Sequence, residues 1–154
     1  MKKGFLHLTT AEELFKKLEH DYEALKADVH DPYKAFNFFV TAEHLPDWVG
    51  DTSIKDKNPF LRISSHLATG AKHFKVTNPK KNSVGSTAVD IYVEEGYAED
   101  GYIKVILTLI LTEKESKELG VSSIHVMQLA EEVMLFWKKY FEKKHITSGS
   151  KSLP

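Results

Sequence analysis

Between residues 11 and 25, apolar side chains recur at Ala11, Leu14, Phe15, Leu18, Tyr22 and Leu25, with Glu12, Lys16, Lys17 and Glu19 on the opposite side. That i, i+3, i+4 spacing predicts an amphipathic helix with one buried face. Thr9 with Glu12, or Thr10 with Glu13, fits a capping box at its start. Asp31 followed by Pro32 supplies an N-cap and first helical position for a second helix running toward Val49 and Gly50, because proline lacks only an N–H that has no partner there. Ala35, Phe38, Phe39, Ala42 and Leu45, flanked by Phe36 and Val40, make this helix apolar over most of its circumference, which predicts a central position. Pro46 removes a hydrogen bond to residue 42 and predicts a kink or early stop near His44. Asp51 to Lys57 reads as a polar loop. Asn58 and Pro59 then start a third helix over about Pro59 to Phe74, packed through Phe60, Ile63, Leu67, Ala71 and Phe74. Gly70 within it predicts close approach of another backbone, since a helical glycine otherwise costs about 1 kcal/mol against alanine.

Beyond the loop at Asn78 to Gly85 the hydrophobic period changes. Val89, Ile91 and Val93 alternate with Asp90, Tyr92 and Glu94, and Ile103, Val105, Leu107, Leu109 and Leu111 alternate with their neighbours, predicting strands over about 87–94 and 102–111. The connection Glu95 to Gly101 holds two glycines and suits an antiparallel hairpin packed on the helices. Glu113 to Leu119 reads as a short helical turn stopped by Gly120. Ser122 or Ser123 is placed to cap a last helix reaching about Lys144, with a broad apolar face through Leu129, Val133, Trp137 and Phe141. The expected fold is mainly α: a four-helix bundle with a two-stranded antiparallel β-hairpin inserted before the last helix. It forms one domain over residues 1–146, followed by a flexible tail over 147–154.

Composition narrows the class without naming a function. The chain has 154 residues, 42% of them hydrophobic and 28% charged, which suits one globular domain with its own core. Its 21 basic and 22 acidic residues give a net charge of −1, so no global field draws in nucleic acid. There is no cysteine, hence no thiolate metal site or disulfide, and a reducing cytoplasm is the expected compartment. The longest apolar run, Ile103 to Leu111, is too short for a membrane span, and no secretory h-region follows Met1.

Candidate chemistry lies on the second and third predicted helices. Arg62 is the only arginine and opens a polar stripe with His66, Thr69 and His73, spaced i, i+4, i+7, i+11. The second helix repeats the spacing at Asn37, Thr41, His44 and Trp48. At about 100° per residue each set falls near one line, so two matched stripes predict a lined groove or a buried polar seam. Arginine is a permanent planar fork for phosphate or carboxylate, and histidine exchanges protons near neutral pH. Arg62 would stabilise a developing phosphorane while His66 and His73 shared the acid and base roles, without metal or cofactor. The competing expectation is that Arg62 pairs with Asp47 or Glu43 in a buried structural network. A single metal site is excluded for His66 with His73: seven residues span about 10.5 Å of helix, against nitrogen–metal distances near 2.1 Å. Asn37, Thr41, His44, Trp48, Thr69 and Lys72 are the expected ligand-binding residues, Lys72 with Lys80 and Lys81 forming a small basic patch.

The runs AFNFFVTAEHLPDWV at residues 35–49 and LRISSHLATGAKHF at residues 61–74 resemble a widespread type of small bacterial protein, similar in architecture to the HEPN superfamily. That superfamily contains helical bundles, among them metal-independent RNases of toxin and antiphage systems and also inactive members. The resemblance implies an RNase or effector, active as a homodimer, with Arg62, His66 and His73 as candidates. The chain departs from the superfamily's pattern of four to six residues between arginine and histidine: three separate Arg62 from His66, and ten separate it from His73. The other function class is a noncatalytic module that recognises a protein partner or an anionic ligand in the groove between the second and third predicted helices.

Overall fold

A computed structural model describes residues 4–72, 83–93 and 103–149. Among these residues, six helices and three strands follow in the order α1 (Ala11–Ala27), α2 (Pro32–Val49), α3 (Ile54–Lys57), α4 (Pro59–Lys72), β1 (Val84–Val93), β2 (Ile103–Leu111), α5 (Glu113–Leu119), β3 (Ser123–His125) and α6 (Val126–Gly149). The fold is mainly helical with a small antiparallel sheet, as the periodicity predicts.

Local chemistry sets most helix ends. Thr10 caps α1 through a reciprocal box with Glu13. Asp31 Oδ1 accepts from the Tyr33 N–H at 2.8 Å, and Asn58 Oδ1 accepts from Phe60 at 2.9 Å and Leu61 at 3.1 Å, each beside a proline at the first helical position. Pro46 does not stop α2 near His44. The helix continues to Val49, and Gly50 takes the left-handed conformation at φ 78°. The Asp51 N–H then donates to the Pro46 carbonyl at 3.0 Å, closing a Schellman-type end. The polar stretch expected as a loop after Gly50 holds the short α3, tied to α2 by Lys55 and Glu43 at 3.0 Å.

α2 packs against α1, α4 and α6, which is the central placement its apolar circumference predicts. The core joins Leu14, Leu18 and Leu25 of α1, Phe38, Phe39, Ala42 and Leu45 of α2, and Leu61 and Ile63 of α4 to Leu129, Val133 and Trp137 of α6. Phe15 stacks on Phe141 at 4.7 Å and holds α1 to the far half of α6. α6 extends through Gly149, into the stretch predicted as a tail, while residues 150–154 lie outside the described residues.

The sheet corrects the expected two-stranded hairpin. β1 and β2 pair antiparallel, from Val84↔Leu111 to Val93↔Ile103, with a register irregularity between Val84 and Ser86. β3 adds a third strand through Thr108↔His125, Leu109↔Ile124 and Ile110↔Ser123. Ser122 and Ser123 therefore do not cap the last helix, which begins at Val126. Ile124 and Val126 are both buried, so the period of two persists through β3 before the helical period takes over.

Candidate functional site

Arg62 sits in the first turn of α4, and its partner comes from α5, more than fifty residues along the chain. Arg62 Nε donates to Glu115 Oε1 at 3.0 Å and Nη2 donates to Glu115 Oε2 at 2.8 Å, a bidentate fork. Nη2 also meets the Glu118 carboxylate, and Nη1 donates to the Asp56 carbonyl at 3.3 Å. The expected partners Asp47 and Glu43 are not used: Asp47 is exposed, and Glu43 pairs with Lys55. Glu115 is 2% exposed. Burial pushes its carboxyl up, but hydrogen bonds from Arg62 and Ser83 outweigh that effect and hold it below the ordinary value. Arg62 is held above its ordinary value, first by the hydrogen bond to Glu115.

The same carboxylate reaches His66. Buried Ser83, immediately before β1, donates its hydroxyl to Glu115 Oε1 at 2.8 Å, and His66 Nδ1 lies 2.5 Å from the same hydroxyl oxygen. Local structure brings these groups together. The Thr112 N–H donates to the Ser83 carbonyl at 3.1 Å, which fixes the start of β1 beside the start of α5. Thr112 and Glu115 have the spacing of a capping box, yet the Thr112 side chain makes no cap bond. Glu115 turns inward to Arg62 and Ser83 instead. From sequence, Glu115 falls in the short helical turn Glu113 to Leu119 and Ser83 in the loop Asn78 to Gly85, so neither gives a signal as a partner of Arg62 or His66.

The α2 stripe belongs to a different network. Thr41 is buried and its hydroxyl lies 2.5 Å from Asp21 Oδ2 on α1, where Lys17 Nζ also reaches Asp21 at 2.5 Å and Thr41 at 2.8 Å. Asn37 and His44 are exposed and Trp48 is half-buried. On α4, the Thr69 hydroxyl donates back to the Ser65 carbonyl at 2.9 Å, and Lys72 is exposed. His73, Lys80 and Lys81 lie outside the described residues. The structure thus gathers Arg62 and His66 into one cluster and places Thr41 in another. Among the described residues, no group of three histidine, aspartate or glutamate side chains is arranged to hold a metal ion.

A groove between α2 and α4 is present, but none of the described residues of either stripe lines it. A cleft of about 430 Å³ runs between them over the sheet, lined from α2 by Pro32, Ala35, Phe36 and Phe39, and from α4 by Leu67, Ala68, Gly70 and Ala71. At 100° per residue these positions are centred roughly 150° around each helix from the stripe residues, with Gly70 at the near edge. Leu107, Thr108, Leu109 and Val126 complete the wall, so among the described residues it carries no charge. Among the described residues no backbone comes close to Gly70: a Cβ there would meet nothing within 4 Å.

The chain matches no known protein family, no curated protein and no solved structure. No helix among the described residues is long and apolar enough to cross a membrane.

Proposed function

We propose that this chain is a noncatalytic binding module, with its four long helices α1, α2, α4 and α6 forming a bundle that opens one apolar cleft between α2 and α4. The observation behind this reading is the cleft itself. Its volume is within the range of small-molecule sites, and among the described residues its wall is apolar except for Thr108. The ligand class that suits such a wall is neutral and apolar, either a small molecule or the apolar side chains of a protein partner, rather than the anion that Arg62 suggests in isolation. Arg62 is already engaged by Glu115 and Glu118.

A metal-independent ribonuclease on a HEPN-like bundle has less support from this geometry. It asks Arg62 to meet a phosphorane, whereas the guanidinium together with Glu115 and Glu118 sums to one negative charge. RNA degradation in the presence of a chelator, lost in His66→Ala, would reinstate it.

Nile red, a neutral dye whose emission rises in apolar surroundings, tests the cleft directly. Gly70→Leu with Ala71→Leu fills it from the α4 side, and neither wild-type residue is buried, so the fold is retained. Wild-type protein should raise and blue-shift the emission, and the double variant should lose most of that response while keeping its melting temperature. Equal emission from both proteins, or none from wild type, removes the reading.

A further inference from the structure

In the cluster on the far side of α4 from the cleft, the proton arrangement at the Ser83 hydroxyl follows from its two side-chain contacts. Ser83 Oγ carries one proton and lies between two partners, Glu115 Oε1 at 2.8 Å and His66 Nδ1 at 2.5 Å. Glu115 is bound in two places by Arg62 and is an ionised carboxylate near neutral pH, so it can only accept. The serine proton therefore points to Glu115. The oxygen of Ser83 is left to accept, and the group on its other side must donate. His66 Nδ1 must carry a proton, which in the neutral ring leaves the lone pair on Nε2.

We infer that Glu115 and Ser83 are positioning residues that fix His66 in its Nδ1–H tautomer and so make Nε2 the basic atom of this cluster. The arrangement performs the same task as a carboxylate that orients a catalytic or metal-binding imidazole directly, with a hydroxyl interposed. Arg62 acts one step further back: by holding both oxygens of Glu115, it keeps that carboxylate ionised and aimed at Ser83. Proton uptake at Nε2 leaves every bond of the relay in place, because Nδ1 donates in both the neutral and the charged ring. The inference does not depend on the cleft, and either can fail alone.

Two-bond nitrogen–proton NMR spectra of the uniformly 15N-labelled chain, taken at a pH where histidine is neutral, read the tautomer of each ring. His66 should show a pyrrole-type Nδ1 and a pyridine-type Nε2. Ser83→Ala should shift it to the Nε2–H form or to an averaged mixture, and Ser83→Thr, which restores a hydroxyl, should return the wild-type pattern. A wild-type His66 in the Nε2–H form overturns the inference without any variant. So does a folded Ser83→Ala protein whose His66 pattern is unchanged. Were Ser83→Ala unable to fold, the wild-type and Ser83→Thr spectra would still decide it.

Discussion

Two glycines show how one substitution changes sign with backbone conformation. Gly70 lies within α4 with a helical backbone and no described residue within 4 Å of where a Cβ would go, whereas Gly120 ends α5 at φ 72°. Gly70→Ala should stabilise the protein by about 0.5–1 kcal/mol, because the unfolded chain loses freedom and the folded chain gains no clash. Gly120→Ala should destabilise it by about 1–2 kcal/mol, since an L side chain meets the following carbonyl in the left-handed region. Urea unfolding of both variants checks the pair: equal signs would show that packing around Gly70, rather than backbone conformation, controls that position. Sequence alone marks Gly120 correctly as a helix stop. At Gly70 it predicts a close neighbour that the described residues do not supply, because a helical glycine signals either a close neighbour or empty space, and only tertiary packing distinguishes them.

At the scale of elements, the Arg62–Glu115 fork joins α4 to α5 and, through Ser83, to the start of β1. Removing one side of a largely buried pair leaves the other charge without its partner, so Arg62→Ala should cost about 3–5 kcal/mol. Glu115→Gln should cost less, because the amide oxygen still accepts from Ser83 or Arg62 and no unpaired buried charge remains. A double-mutant cycle with Arg62→Ala and Glu115→Ala should give a coupling energy of at least about 1 kcal/mol; additive losses would mean the two residues act separately. The elements themselves were largely legible. Thr10, Asp31 and Asn58 cap helices through partners within three residues, and such signals survive in a single sequence. What was not legible depends on residues far apart. β3 exists because Ser123–His125 meets β2 some fifteen residues earlier, and Ser122 and Ser123 look like caps until that pairing is known. The two polar stripes have the helical spacing read from sequence, but periodicity fixes a stripe on one helix and not its direction toward the next. Thr41 turns to Asp21 on α1 and Arg62 to Glu115 on α5, leaving the apolar faces to form the groove.

For the whole molecule, these partnerships set the response to acid. Glu115 is depressed below its ordinary value, with burial opposing the hydrogen bonds from Arg62 and Ser83, and Glu12 on α1 is depressed by a backbone hydrogen bond and by Lys144 of α6. A carboxylate whose folded value lies below its unfolded one stabilises the native state fully above the unfolded value. That contribution is lost as pH falls through the folded value. Both groups start from an ordinary value of 4.5, so folding stability should be flat near neutrality and decline as pH drops below that point. Glu115 joins three elements while Glu12 sits at the surface, so Glu115 should account for more of the decline. Glu115→Gln removes its titration. The variant should be less stable than wild type at neutral pH, and its stability should fall less steeply in acid, so the two curves converge. Urea midpoints measured from pH 7 down to pH 3 would test this. Parallel curves would mean that the Arg62–Glu115–Ser83 network does not govern acid unfolding, and that the surface carboxylates at Glu12, Glu13 and Asp51, all likewise depressed, set it instead.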